Sequence, residues 1–362
     1  MSATNLTDYR TLGRSGLRVS PLCLGAMTFG QDWGWGSDAA ASEAILDRYL
    51  GAGGNFLDTA NIYTKGHSEV IIGDYFKQRG GRDRVVLATK FCGNLHSGDP
   101  NAGGASRKSI VFNLEESLRR LKTDFIDLYW MHFEDPHTPI AETMRALDDA
   151  VRAGKVRYIG VSDTPAWKVV QGQYEALFRN WAPFIALQIE YSLMERSVEA
   201  DLLPMAQELG LGVTPWSPLK GGLLSGKYGR HRHPESEGRH KPGSKYLIEH
   251  TYQILDALDD VAKEQGQGMA AVALAWCRMR PGVASPILGA RTLDQLDSNL
   301  QALGLELSQD QMDRLNTASE PAPVFPHSFL ANTRHVMQGG TRINKVDSEF
   351  WPLAPKEGRE RW

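Results

Sequence analysis

The chain has 362 residues, of which 41% are hydrophobic and 23% are charged, and its formal net charge is -3. These values are typical of a globular protein with one large domain, and they exclude a mainly disordered chain. The charge also excludes the overall basic field with which a protein attracts nucleic acid or anionic lipid.

Cysteine content and the terminal sequence indicate the cellular compartment. Cys23, Cys92 and Cys277 are widely separated and lack the spacing of a disulfide framework or a zinc site. The N-terminal sequence lacks the basic and apolar parts of a signal peptide, and no apolar run reaches the about 18 residues of a membrane span. We therefore expect a cytoplasmic protein that binds neither membrane nor nucleic acid.

Short apolar runs that predict strands alternate with amphipathic runs that predict helices. Residues 9–20 come first and predict a hairpin that closes the floor of a barrel. Strands are predicted at residues 19–24, 55–58, 85–89, 126–131, 157–161, 185–188, 212–215 and 284–288. Helix candidates include residues 38–50, 68–78, 106–121, 140–153, 166–177, 198–209 and 269–279.

Eight strand-then-helix units predict an α/β fold in which a parallel sheet closes as a (β/α)8 TIM barrel. An open doubly wound sheet is the rival, but no GxGxxG follows the first strand, and the cluster GAGGNF at Gly51 precedes a strand. We expect a single domain over residues 1–362, with the hairpin and an extended C-terminal tail at residues 320–362 as appendages. The tail either folds over the barrel mouth or packs on the side of the barrel.

Residues 228–245 interrupt the alternation with a polar, basic sequence rich in Gly, Pro and His. This composition predicts a surface excursion after the seventh strand. Both a solvated loop and a flap over a ligand fit that sequence.

Four polar residues occur at the C-terminal ends of predicted strands. Asp58 and Tyr63 lie in NFLDTANIY, Lys90 ends VVLATK, and His132 ends IDLYWMH. Catalytic groups of TIM barrels gather at these strand ends. The lysine would lower the pKa of the phenol, the aspartate would position the lysine, and the histidine would bind the substrate oxygen or the phenol. The set predicts a general acid that protonates an alkoxide as hydride reaches a carbonyl carbon.

Each of these residues alone has an ordinary structural interpretation, as a helix cap, a packing ring, a solvated cation or a core histidine. Their joint placement on three strands favours catalysis. Two other patterns lack a necessary residue. GGLLSGK at Gly221 fits a phosphate loop, but Tyr228 stands where magnesium binding needs Ser or Thr. His231, His233 and His240 have no carboxylate or cysteine partner at a metal-binding spacing, so we expect no metal.

The series of motifs resembles the aldo-keto reductases over nearly the whole chain. The matching segments are LGRSGLRVSPLCLGAMTFG, FLDTANIYTKGHSE, ATKFCG, LYWMH, VRYIGVSD, LQIEYSLMER, VTPWSPLKGGLLSGKY and ILGARTLDQLDSNL. The resemblance implies that Asp58, Tyr63, Lys90 and His132 form a catalytic tetrad with the tyrosine as proton donor. It also implies that NADPH/NADP+ binds across the barrel mouth without a Rossmann motif.

The resemblance assigns the cofactor-binding residues by motif position. Ser162 and Gln188 match residues that hold the nicotinamide carboxamide, and Trp216 matches the aromatic that stacks on the nicotinamide ring. The loop along the pyrophosphate is matched by Ser217, Pro218, Leu219, Gly221 and Lys227. The site for adenine and the ribose 2'-phosphate is matched by Gly289, Arg291, Gln295 and Asn299. Met27, Thr28, Asp58 and Asp163 complete the expected set.

One residue departs from the family pattern. Asp163 follows Ser162 where the family commonly has Asn. An ionised carboxylate can accept from the carboxamide NH2 but cannot donate to its oxygen. The manner of carboxamide binding is therefore open, whereas the cofactor class is unchanged.

Aromatic residues near the expected mouth indicate the substrate class. Trp33 and Trp35 follow the first strand, and Phe91 and Trp130 lie near catalytic strand ends. If they line the mouth, they favour apolar or aromatic aldehydes and ketones, and otherwise they are packing residues.

We hypothesise an enzyme, an NADPH-dependent oxidoreductase that reduces aldehydes or ketones to alcohols. One alternative is a regulatory module with slow turnover, which resembles the NADPH-binding β subunits of potassium channels. Another is a lyase or isomerase in which Lys90 forms a Schiff base. The sequence leaves open the physiological substrate, the reaction direction, the preference for NADPH over NADH, and whether the protein is a homo-oligomer.

Overall fold

Eight parallel strands form the centre of the fold, as the alternation of apolar and amphipathic runs predicted. The computed structural model describes residues 5–232 and 246–355. The chain begins with the antiparallel hairpin strands Arg10–Thr11 (β1) and Arg18–Val19 (β2). The strands of the parallel sheet are Cys23–Gly25 (β3), Phe56–Asp58 (β4), Val86–Phe91 (β5), Ile126–Met131 (β6), Val156–Ser162 (β7), Phe184–Glu190 (β8), Gly212–Trp216 (β9) and Ile287–Gly289 (β10).

The sheet closes nearly completely on itself. Its strand order is β10-β3-β4-β5-β6-β7-β8-β9, and every neighbouring pair is parallel. Val213 in β9 bridges Val283 shortly before β10, which brings the two ends of the sheet together. The predicted (β/α)8 TIM barrel is therefore confirmed.

Helices follow the strands and cover the outside of the barrel. Among the described residues up to Glu320, the α-helices are Ala39–Gly51 (α1), His67–Arg79 (α2), Arg107–Leu121 (α3), Ile140–Arg152 (α4), Ala166–Arg179 (α5), Leu202–Leu209 (α6), Glu249–Gln265 (α7), Met269–Arg278 (α8), Leu293–Leu300 (α9) and Gln309–Ala318 (α10). Asp38 and Ser106 cap α1 and α3 by accepting from backbone N–H groups, which satisfies donors that the first helical turn leaves free. The single helix predicted over residues 198–209 is a 3-10 turn, Ser197–Glu199, followed by α6.

The N-terminal hairpin closes the floor of the barrel, as predicted. Leu12 is fully buried in a hydrophobic cluster inside the barrel, which also contains Phe56 from β4 and Ala186 from β8. Gly13 has φ +61, and a Cβ there would lie 2.4 Å from the Ile185 carbonyl oxygen, so both conformation and space require glycine. Arg14 donates its backbone N–H to the Gly210 carbonyl at 2.8 Å and fixes the hairpin to the strand ends.

The first and last strands are shorter than predicted. The apolar run at residues 19–24 is divided between β2, which belongs to the hairpin, and β3, because Ser20 and Pro21 separate them. The run at residues 284–288 also contains Pro286, which has no N–H to donate to a ladder, and β10 begins directly after it. The C-terminal ends of these two strands, Gly25 and Gly289, lie one residue beyond the predicted ends.

Most of the predicted excursion at residues 228–245 lies outside the described residues, from 233 to 245.

The chain divides into two units, Met1–Glu320 and Pro321–Trp362. Within the second unit, short helices His327–Leu330 (α11) and Arg334–Gln338 (α12) precede a hairpin of Arg342–Ile343 (β11) and Val346–Asp347 (β12). The expectation of one domain that includes the tail stays a prediction. Among the described helices none is both long and apolar enough to cross a membrane.

Candidate active site

The structure brings Asp58, Tyr63, Lys90 and His132 together at the C-terminal ends of three neighbouring strands. Asp58 ends β4, Lys90 is the penultimate residue of β5, and His132 directly follows β6. Tyr63 begins a short 3-10 turn five residues after β4. The parallel register, in which Asp58 pairs with Ala88 and Lys90 pairs with Trp130, aligns these strand ends.

Lys90 is the centre of this group. Its side chain is fully buried, and its ammonium donates to the Asp58 carboxylate, to the Thr59 carbonyl at 2.8 Å and to the Tyr63 hydroxyl oxygen at 3.1 Å. These three bonds use all three ammonium donors. Because the Tyr63 oxygen accepts from Lys90, its own proton is left to point elsewhere, which suits a proton donor.

Asp58 is held from two sides. One carboxylate oxygen accepts from Lys90, and the other accepts from the Gln188 side-chain amide at 3.0 Å. The Gln188 amide NH2 therefore donates to Asp58, and its amide oxygen is left to accept from a ligand. Sequence analysis assigned Gln188 only to the nicotinamide and missed this bond, because β8 and β4 lie on opposite parts of the barrel order.

Lys90 and Tyr63 both keep their protons, because the pKa of each group is raised. Burial acts to lower the pKa of Lys90, but the carboxylate of Asp58 and the oxygen of Tyr63 outweigh it, and the pKa is raised. Burial raises the pKa of Tyr63, and the opposing effect of the Lys90 ammonium does not cancel it. The prediction of a lowered pKa for Tyr63 was wrong in net direction, because it considered the charge and omitted the removal of water.

His132 is a neutral imidazole in this environment. Burial, with a smaller contribution from the Lys90 charge, lowers its pKa to about 3. Its ring centre lies 5.9 Å from that of Tyr63 in an edge-to-face arrangement, and its buried Nδ1 atom has no hydrogen-bond partner among the described residues. A neutral imidazole can donate one hydrogen bond to a substrate oxygen without competing with Tyr63 as the acid.

A tight turn fixes Tyr63. Thr64, Lys65 and Gly66 all have positive φ, which is sterically costly for the first two. The hydroxyl of Thr64 donates to the Phe29 carbonyl at 2.7 Å and accepts from the backbone N–H of Ser68 at 3.0 Å. These contacts were not foreseen, although YTKGHS contains the small polar residues that make them.

The expected nicotinamide residues lie beside the tetrad. Ser162 ends β7 and is paired in register with Gln188, and both are almost fully buried. The buried Ser162 hydroxyl lies near the Asp163 carboxylate and lowers the pKa of that group, but it has no partner at good hydrogen-bond distance and angle among the described residues. A carboxamide could supply that partner. Trp216 ends β9, and its indole N–H donates to the Asp163 carboxylate at 2.9 Å.

The expected phosphate-binding residues lie after β9 and β10. Ser217 and Gly221 have φ of 53 and 61, so the chain turns sharply after Trp216, and Lys227 is exposed beyond the turn. Pro218 is buried and Leu219 half-buried in the same turn. The half-buried Arg291 directly precedes Thr292, the cap of α9, and a helix N-terminus with an arginine suits a phosphate.

Four hydrogen bonds hold the segment that carries Arg291. Gln295 accepts from the Arg291 backbone N–H at 2.9 Å, and Asn299 donates to the Gly289 carbonyl at 3.2 Å. Thr28 and Ser37, in the loop after β3, donate to the Ala290 and Arg291 carbonyls at 3.0 Å. The half-buried Met27 precedes Thr28 in that loop. The side chains of Gln295 and Asn299 thus shape this loop in the structure, in addition to any contact with a ligand.

Aromatic rings surround Tyr63, but they are not all the predicted ones. Trp33 lies 5.5 Å from Trp35 and 6.4 Å from Tyr63 between ring centres. Phe91 does not join them, because successive strand residues face opposite sides and Lys90 faces the site. Phe91 is fully buried on Tyr129 instead.

Trp130 has the packing role that the sequence left open, because it is fully buried in the hydrophobic cluster that also contains Leu12, Phe56 and Ala186. Sequence analysis missed Phe133, which is 40% exposed, with its ring centre 5.2 Å from that of His132. Its position directly after His132 in the sequence was the available signal. No set of three or more His, Cys, Asp or Glu side chains in residues 5–232 and 246–355 is arranged to bind a metal.

Comparison with known proteins gives one consistent family. The model of the aldo/keto reductase family matches residues 21–320. An uncharacterized oxidoreductase of Bacillus subtilis is 43% identical over 319 residues, which are 85% of this chain and 95% of the relative. A norsolorinic acid reductase of Emericella nidulans is 36% identical over 366 residues, covering 95% and 92%. A putative aryl-alcohol dehydrogenase of Saccharomyces cerevisiae is 34% identical over 342 residues, covering 91% of each chain.

Proposed function

The chain belongs to the aldo/keto reductase family and is an oxidoreductase, and from that premise we propose that it reduces aldehydes or ketones to alcohols with NADPH. In this proposal Tyr63 is the general acid, Lys90 and Asp58 hold it, and His132 orients the carbonyl oxygen. The observation that carries the proposal is the bond from Lys90 to the Tyr63 oxygen at 3.1 Å.

With Tyr63 held by Lys90, the hydride and the proton come from different sources. The bound cofactor would supply the hydride, and the chain supplies the proton. Tyr63 keeps its proton because burial raises its pKa. As negative charge grows on the substrate oxygen, the phenol donates to it, and the phenolate that forms is stabilised by the adjacent Lys90 ammonium. His132 remains neutral and donates a hydrogen bond to the same oxygen.

The Schiff-base alternative is disfavoured by the state of Lys90. A lysine nucleophile must be unprotonated, whereas the environment of Lys90 raises its pKa. Its ammonium is also fully buried and has a partner for each donor. The geometry therefore supports a positioning and electrostatic role for this residue.

The substrate class follows from the rings at the mouth. Trp33 and Phe133 are 37% and 40% exposed and flank Tyr63 and His132, respectively. Flat aromatic carbonyl compounds can pack against such rings. Two relatives carry names that refer to aromatic compounds, norsolorinic acid and aryl alcohols, which supports this choice.

The test is NADPH oxidation, followed by absorbance at 340 nm, with matched aromatic and aliphatic aldehydes and ketones. We expect turnover with NADPH and a higher kcat/KM for aromatic carbonyls than for aliphatic ones of similar reactivity, because only the former pack flat against the rings. Binding of NADPH with no turnover on the whole panel would favour the regulatory module over the reductase.

The preference for NADPH over NADH is expected to depend on Arg291. Replacing Arg291 with Gln removes a cation beside the N-terminus of α9, so we expect NADPH affinity to fall about tenfold or more and NADH affinity to change little. Isothermal titration with both cofactors measures this. Arg48→Gln is the matched control, because Arg48 is bound by Asp297 on the outside of α9. An equal loss for NADPH and NADH would contradict the assignment of Arg291 to the 2'-phosphate.

A further inference from the structure

We propose that Asp163 makes this cofactor site favour the oxidised, cationic form of the nicotinamide over the reduced, neutral form. The inference rests on the proposed function, because it concerns the same cofactor. It adds a redox preference to a site that the family commonly equips with a neutral asparagine.

The position of the Asp163 carboxylate is fixed. One oxygen accepts from the indole N–H of Trp216 at 2.9 Å, and the Asp163 backbone N–H donates to the Gln188 carbonyl at 3.2 Å. The carboxylate therefore lies at the edge of the indole expected to stack on the nicotinamide. The backbone has φ 41, a conformation that Asp and Asn tolerate better than most residues.

The charges around Asp163 leave it uncompensated. The charged groups that act on it include Lys90 and Glu190. Lys90 is paired with Asp58, and Glu190 accepts from Lys220 at 2.8 Å. The groups that donate to Asp163 or lie near it as donors, the Trp216 indole and the Ser162 hydroxyl, are neutral, and no cation forms an ion pair with it among residues 5–232 and 246–355. One unpaired negative charge therefore remains beside the expected nicotinamide position.

This charge acts unequally on the two redox forms. The oxidised ring carries a positive charge that the reduced ring lacks, so a nearby carboxylate attracts the first more strongly. Burial removes some water from Asp163 and raises its pKa, whereas the hydrogen bond from Trp216, the nearby Ser162 hydroxyl and the Lys90 charge oppose that rise and favour the carboxylate. A ligand that covers the carboxylate would remove more water and strengthen the interaction.

The test compares equilibrium binding of NADP+ and NADPH by isothermal titration in the wild type and in Asp163→Asn. The variant keeps the shape, the tolerated backbone conformation and an acceptor for Trp216, but it removes the charge. We expect the ratio of the NADP+ to the NADPH dissociation constant to rise about three- to tenfold. A tenfold change corresponds to a rise of about 30 mV in the potential of the bound pair.

Two further variants support the interpretation. Glu175→Gln makes the same change in net charge on α5, where Glu175 is paired with Arg179, and should leave the ratio unchanged. Asp163→Ser is a second neutral variant that should raise the ratio in the same direction, and it provides the test if the Asp163→Asn protein fails to fold. An unchanged ratio, or an equal loss for both cofactor forms, overturns the inference and leaves the proposed function standing. A wild-type protein that binds neither form contradicts the proposed function itself.

Discussion

Replacement of Tyr63 with Phe is expected to lower carbonyl turnover by about 10²- to 10⁴-fold, the range that a positioned general acid contributes. Phe keeps the ring and its packing against Trp33 and His132, but it has no proton to give. The Lys90 ammonium also loses the acceptor that it contacts at 3.1 Å. Stopped-flow measurement of the hydride-transfer step, with the substrate saturating, isolates this effect from product release.

Two controls make the Tyr63 result specific. NADPH affinity, measured by titration, is expected to change by less than about threefold, because the phenol acts on the developing alkoxide. Tyr174→Phe removes a hydroxyl from an exposed ring on α5 and should keep wild-type turnover. A Tyr63→Phe protein that binds NADPH normally and turns over at the wild-type rate would contradict the assignment of the acid.

The placement of the candidate catalytic residues could be predicted from the sequence, because they lie at or just after the ends of predicted strands. Asp58, Lys90 and His132 each end or follow an apolar run, and parallel strands of a closed barrel bring such ends to one face. The observed changes at the first and last strands did not disturb this result. Pro21 and Pro286 shorten these strands at their N-terminal ends, so the C-terminal ends that carry the site are little affected.

The contacts around the site were less accessible. Gln188 in β8 donates to Asp58 in β4, and these strands are far apart in the order of the sheet. Neither sequence segment indicates that their side chains meet inside the barrel. The position of Phe91 could have been predicted, because it is adjacent to Lys90 in the strand and successive side chains of a strand face opposite sides. The pKa of Tyr63 required the balance between burial and the Lys90 charge, and only the three-dimensional arrangement sets that balance.

The buried pair of Lys90 and Asp58 is expected to be strongly coupled in stability. Lys90→Met leaves the Asp58 carboxylate buried, with the Gln188 amide as its remaining side-chain donor, so we expect a loss of about 3–5 kcal/mol in the free energy of unfolding. Asp58→Asn leaves the ammonium without its anion and should cost a similar amount. Urea denaturation, with the slope checked for constancy, measures both.

The double variant separates coupling from packing. With both charges removed, neither residue leaves an unpaired ion in the interior, so Asp58→Asn with Lys90→Met should cost less than the sum of the single changes by at least about 2 kcal/mol. The exposed pair of Arg48 and Asp297, at 2.7 Å, provides the matched cycle with Arg48→Met and Asp297→Asn. Its coupling should stay below about 1 kcal/mol, because water screens both groups. Additive losses at Lys90 and Asp58 would contradict this prediction and would mean that the barrel holds both groups in place with little mutual stabilisation.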